Sequence, residues 1–261
     1  MNYPFTSVNT FLDFDTGHKV QWDIDALFSE AEPYTFTLEA SETIDFSELT
    51  FSKDVGGLFF AIDDSGLKKN WFDSYYYRIK LETAAGNTYY SDVLNFNYDP
   101  ALRRQYLMAA EIIRKEMVIK RFAGCPAYLL KRKNYGRINT QTVDPVSGVP
   151  MTDNADDCGV GFSGGYYTPL LVNFQKISED HSTQLDPEGK GTKNINKISA
   201  RFIGFPAIEV KDVIAIKAGA ERFIITSNDP KKFPGTDIVL IQTCDMFRLP
   251  PSDSVYKIKL P

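Results

Sequence analysis

Two histidines in 261 residues, His18 and His181, leave little material for chemistry that turns on an imidazole. The three cysteines, Cys125, Cys158 and Cys244, are odd in number and far apart. That spacing excludes a dense disulfide framework, and folding in a reducing cytoplasm is expected. No apolar run approaches the roughly 20 residues that a membrane helix requires, so no membrane partner is expected. The opening Met1-Asn-Tyr-Pro-Phe-Thr-Ser7 has neither the basic residues nor the apolar stretch of a secretory leader. What is plentiful is aromatic side chains, 13% of the chain, a share that favours β-structure and interfaces over long helices. The length suits one large or two ordinary domains, each with its own core.

The net charge of −5 conceals a strong asymmetry. Residues 1–100 carry 6 basic and 17 acidic side chains, residues 101–137 carry 10 and 2, and residues 138–261 carry 13 and 15. A basic segment of this density fits phosphate or an acidic protein surface, and we expect the protein surface.

Residues 1–98 read as a β-domain. Val20, Trp22 and Ile24 alternate with polar residues, as do Tyr75, Tyr77, Ile79 and Leu81, the period of a strand with one buried face. Tyr34–Leu38, Gly57–Ile62 and Thr88–Leu94 complete the set, and Ala85-Gly86-Asn87 marks a hairpin turn. About a hundred residues of short strands predict a sandwich of immunoglobulin or fibronectin type. A basic amphipathic connecting helix is expected over 99–124. Asp99 and Pro100 suit its start and Gly124 with Pro126 its end, while Leu102, Tyr106, Ala109, Ile113, Met117 and Lys120 share its inward face. Residues 125–261 read as a second β-rich domain with a long irregular loop at 134–168 and a mobile polar loop at 178–196. The expected class is therefore mainly β, with one long helix between two β-rich parts.

Gly161-Phe-Ser-Gly-Gly165 contains the Gly-x-Ser-x-Gly pattern of serine hydrolases, which requires Ser163 on a tight turn between a buried strand and a helix. Its flanks are the polar Met151–Cys158 on one side and the extended Tyr166-Tyr-Thr-Pro169 on the other. The only histidine beyond the first twenty residues, His181, follows Glu179 and Asp180 on a polar stretch. A Gly-rich turn is the better reading, so no catalytic residue and no enzymatic activity are expected.

The order of features along residues 75–261 carries a resemblance. A basic helix ends before Gly124, and Leu129-Leu-Lys-Arg-Lys-Asn-Tyr-Gly136, Asp144-Pro-Val-Ser-Gly148 and Gly159–Tyr167 follow. Arg222-Phe223, Pro234-Gly235, Ile241-Gln242 and Leu249–Tyr256 close the series. Together with the N-terminal Ig-like domain, this order resembles structural virion proteins of tailed bacteriophages, of the neck or head-to-tail connector type. The resemblance implies a virion location, assembly in the host cytoplasm, and a ring of identical copies acting as connector or collar beside portal, adaptor or tail proteins. DNA in the neck channel is a further, less favoured partner. An interface is expected at Arg114, Lys115, Lys120, Arg121, Lys131, Arg132, Lys133, Tyr135, Arg137, Tyr166 and Tyr167. A second expectation is a tail or baseplate protein that binds host glycan through the Ig-like domain. Relatives place two Cys-x-x-Cys pairs where this chain has Asn139, Thr142, Asn154 and Asp157, so structural zinc is not expected. Asp153, Asp156 and Asp157 lack the spacing and glycine of a calcium loop, and no cofactor is expected.

Overall fold

The computed structural model describes residues 3–11, 18–25, 28, 30, 33–65, 75–95, 100–135, 158, 160–162, 164–185, 192–217 and 221–261, with backbone alone for 100, 180–185 and 192–196. The chain divides into two compact units, 1–111 with 133–139 and 112–132 with 140–261. It is mainly β, with one α-helix among the described residues.

In the first unit, β1 (Phe5–Phe11), β2 (Lys19–Ile24) and β5 (Phe60–Ile62) form a sheet in the order β1-β2-β5. A second sheet orders β4 (Phe51–Gly56), β3 (Thr35–Ser41), β6 (Tyr76–Glu82) and β7 (Thr88–Tyr90), and β8 (Leu94–Asn95) also pairs with β6. Tyr77, Ile79 and Leu81 are the buried residues of β6, in the period of two read from the sequence. The two sheets meet through buried aromatics, with the Trp22 ring 5.2 Å from that of Phe36. Gly86 turns the β6–β7 hairpin at φ +83, which is strained for any residue with a Cβ. Strands β1 and β4 gave no sequence signal because both lie at sheet edges: β1 buries only its two end phenylalanines fully and β4 buries nothing fully.

A polar network also crosses this core. The Tyr77 hydroxyl donates to Asp63 Oδ2 at 2.6 Å and lies 3.1 Å from His18 Nδ1, while Asp63 Oδ1 accepts from the backbone and hydroxyl of Ser65. His18 precedes β2, Asp63 follows β5 and Tyr77 lies on β6, so the network ties the two sheets together. Replacing Tyr77 by phenylalanine removes a donor from a fully buried carboxylate. That change is expected to cost about 1–3 kcal/mol. Trp22, buried in this core, gives the fluorescence that would follow it, and an unchanged urea midpoint would count against the network.

A 3-10 turn at Pro100–Leu102 leads into α1 (Arg103–Ala123). Ala109, Ala110, Ile113 and Lys120 form its buried face. The helix stops at Gly124, where a Cβ would lie 2.2 Å from the Lys120 carbonyl oxygen, and the strand begins at the next residue. Six strands then close into an antiparallel barrel in the order β10-β11-β14-β13-β12-β9: β9 (Cys125–Leu130), β10 (Leu170–Leu185), β11 (Thr192–Ile203), β12 (Val213–Ile216), β13 (Arg222–Lys232) and β14 (Val239–Arg248). Its interior is filled by side chains, with Phe174 and Phe202 stacked at 5.4 Å beside Leu129, Ile214, Phe223, Ile225 and Met246.

The mobile loop expected at 178–196 is corrected here. Residues 178–185 pair with 192–199 in an antiparallel ladder that extends the β10–β11 hairpin. The backbone supplies those hydrogen bonds, so a two-stranded ribbon with polar sequence shows no hydrophobic period. The irregular loop expected at 134–168 lies largely outside the described residues.

Candidate functional site

Lys131, Arg132, Cys158, Tyr166 and Tyr167 converge with the C-terminal segment in the second unit. Strand β9 ends at Leu130, and its next residue turns a cation inward: Lys131 is 2% exposed. Its Nζ lies 2.9 Å from Glu209 Oε1 and 3.4 Å from Asp212 Oδ2. Asp212, also buried, accepts the Arg132 backbone N–H on Oδ1 at 2.9 Å and the Glu209 N–H on Oδ2 at 2.8 Å. Burial pushes the Asp212 carboxyl up to about 6, against the lowering pull of Lys131 and the two N–H donors.

Around this pair the backbone of Tyr166 bridges to Arg132, the Tyr167 N–H donates to the Lys131 carbonyl at 2.9 Å, and Arg132 Nη2 donates to the Val160 carbonyl at 3.2 Å. The Cys158 thiol donates to the Ser254 carbonyl at 3.6 Å from a backbone at φ +51. Asp253 caps the short turn Ser254–Lys257 by accepting the Val255 N–H. These segments enclose a cleft of about 340 Å³. Val160, Val213, Ile224, Leu249 and Val255 give it an apolar floor, and Arg132, Lys211, Tyr166, Cys158 and Asp253 give it polar groups. Burial raises the Tyr166 phenol well above its ordinary value, so it stays neutral at physiological pH. Behind the cleft, Arg222 is buried, donates from Nη2 to the Ile258 carbonyl at 2.6 Å and has no partner for Nη1. Chemically the cleft offers two cations against one carboxylate over an apolar floor, and no histidine lines it.

The structure sorts the expected interface residues into two kinds. Lys131, Arg132, Tyr166 and Tyr167 meet in the arrangement just described. Four expected residues, Lys131, Lys120, Tyr135 and Tyr167, are buried within the single chain and are withdrawn from any docking face. Lys120 pairs with Glu116 one helical turn earlier, and burial lowers its pKa. The Tyr135 ring stacks on Tyr34 at 5.8 Å in the first unit. Arg114, Lys115 and Arg121 are exposed on α1, and Lys133 is half-buried. A charge reversal at Lys131 would therefore test the fold and not an interface, because it places a third carboxylate against Asp212 and Glu209.

Arg137, Ser163 and the four places of the knuckle, Asn139, Thr142, Asn154 and Asp157, lie outside the described residues. Among the described residues no group of three or more His, Cys, Asp or Glu is arranged to hold a metal ion. Sequence reasoning missed Asp212 and Glu209, and it named Arg222 only within the resemblance and gave it no place at a site. Nothing local marks them, since Asp212 acquires its role from Lys131, some 80 residues earlier in the chain.

It also missed the outer face of α1. Leu107, Met108, Ile112, Val118, Ile119 and Phe122 are exposed there, Phe122 at 82%. No family model matches this chain, and no curated protein matches it.

Proposed function

We propose that this chain is a non-enzymatic structural protein of a tailed-phage virion that assembles with copies of itself as a ring in the neck. The observation that carries the reading is the outer face of α1, where six large apolar side chains stand in solvent beside Arg114, Lys115 and Arg121. Large apolar side chains gathered in solvent on one side of a helix mark a protein-interaction surface. Two further observations support the reading. The strand orders β1-β2-β5 and β4-β3-β6-β7 suit the division of strands in immunoglobulin- and fibronectin-type sandwiches, which agrees with the N-terminal domain of the resemblance. The described residues between Val160 and Pro169 contain no helix and no strand longer than a single bridge, so they lack the strand-turn-helix that a Gly-x-Ser-x-Gly nucleophile needs.

The test is made on the virus. Particles made without the protein are expected to accumulate as filled heads and separate tails, and wild-type virions to contain it in a fixed copy number at the joint. Absence from purified virions would overturn the reading. Labelling of Ser163 by a fluorophosphonate probe would replace it with the hydrolase.

A further inference from the structure

On the assumption that the chain assembles with copies of itself, the molecule carries two exposed surfaces of matching chemistry. On α1, Met108, Ile112, Ile119 and Phe122 recur in steps of four and three residues with Lys115 at the middle step, so they form one seam along the helix. The same seam on a second copy is a poor partner. Arg103–Ala123 carries six basic and two acidic residues, and a like-charged helix laid against it would place Lys115 and the flanking arginines against their own kind. An occupant that suits the seam is acidic and has apolar tips.

The loop between β3 and β4 has those properties. Glu42, Asp45 and Glu48 are exposed, as are Ile44 and Leu49 between and beside them. The loop is held in shape: the Ser41 hydroxyl donates to the Glu48 carbonyl at 2.7 Å, and the Thr43 N–H donates to Ser41 Oγ at 3.1 Å. Phe46 anchors its centre, buried at φ +54 beneath the Arg78 guanidinium. Hydrogen bonds from Thr43 and Ser47 hold the Asp45 carboxyl below its usual range. A loop already fixed in this form loses little conformational freedom on docking.

We propose that the β3–β4 loop of one copy docks on the α1 seam of the next, with Ile44 and Leu49 on the apolar steps and Glu42 and Glu48 facing Arg104 and Lys115. Such a contact joins two different surfaces, so it propagates from copy to copy and closes into a ring where the rotation allows.

The test is a charge exchange. In one chain Arg104→Glu is combined with Lys115→Glu, and in another Glu42→Lys with Glu48→Lys. All four positions are exposed, so each chain should keep the wild-type melting temperature. Each pair alone is expected to weaken self-association about tenfold or more, and the four changes in one chain to restore it. Sedimentation measures this in solution, and incorporation into particles measures it for chains that assemble only there. If the loop pair has no effect while the helix pair abolishes assembly, or if the fourfold chain is not rescued, the α1 seam binds another surface. The loop contact is then overturned and the ring reading stands. A wild-type chain that neither self-associates nor enters particles overturns the ring reading itself.

Discussion

Replacing Gln242 by leucine is expected to destabilise the barrel by roughly 4 kcal/mol, because one buried amide satisfies a whole loop. The two N–H groups on Gln242 Nε2 are shared among the carbonyls of Ile203, Gly204 and Pro206, at 2.8–3.0 Å. Its Oε1 accepts the Ile208 N–H at 2.9 Å and Asn228 Nδ2 at 3.1 Å. Leucine has a similar volume, so the loss comes from backbone groups left without partners and not from a cavity. The loop so held runs between β11 and β12 and supplies Ala207, Glu209 and Asp212 to the ammonium group of Lys131. The variant should therefore loosen the cleft as well as the barrel. No tryptophan occurs in 112–132 or 140–261, so the loss must be followed by far-ultraviolet circular dichroism or hydrogen exchange. A shift in the denaturation midpoint worth less than about 1 kcal/mol would show that water or a relaxed loop replaces the amide.

Lys131→Ala is expected to cost about 2–3 kcal/mol near pH 8, because it removes the cation that compensates a carboxylate in the interior. This cost should depend on pH in a definite direction. In the folded wild type the Asp212 carboxyl sits at about 6, above its ordinary 3.8. Its stabilising contribution is thus complete below about pH 4 and is lost as pH rises through 6. Without Lys131 the main pull that lowers Asp212 is gone, its pKa rises further, and the carboxyl holds its proton to higher pH. The deficit of the variant should consequently be small near pH 5, where Asp212 is protonated in both proteins, and grow above pH 6. Denaturation midpoints for both proteins from pH 5 to 8 measure this. A deficit that does not change with pH would show that Asp212 is not the group Lys131 compensates.

These expectations differ from the first reading of the basic segment, and the reason is physical. Lys131 and Lys133 are alike in sequence, two lysines on either side of Arg132 just after a run of apolar residues. Ala127–Leu130 are all buried, so β9 shows no alternation from which the direction of the next side chain could be read. Helix α1 was half legible in the same way. Its ends followed from Pro100 and Gly124, and Ala109, Ile113 and Lys120 do face inward as their spacing predicts. Its second apolar seam was hidden because the basic residues interleaved with it made that side read as the solvated one.

By itself the sequence determined what short-range periodicity and backbone chemistry can determine: a mainly β chain, one helix and its limits, the alternating core of β6, and the hairpin at Gly86, whereas β2 buries Lys19 and Gln21 beside Val20, Trp22 and Ile24 and so does not alternate as expected. Only the tertiary structure decided that six strands close into a barrel, that the polar stretch at 178–196 contributes strands, that Gln242 holds the loop at 203–208, and which cations are buried. Each of these depends on groups distant in sequence being brought within hydrogen-bonding reach. A residue's own neighbours in the chain carry no record of the acid, carbonyl or strand that will meet it.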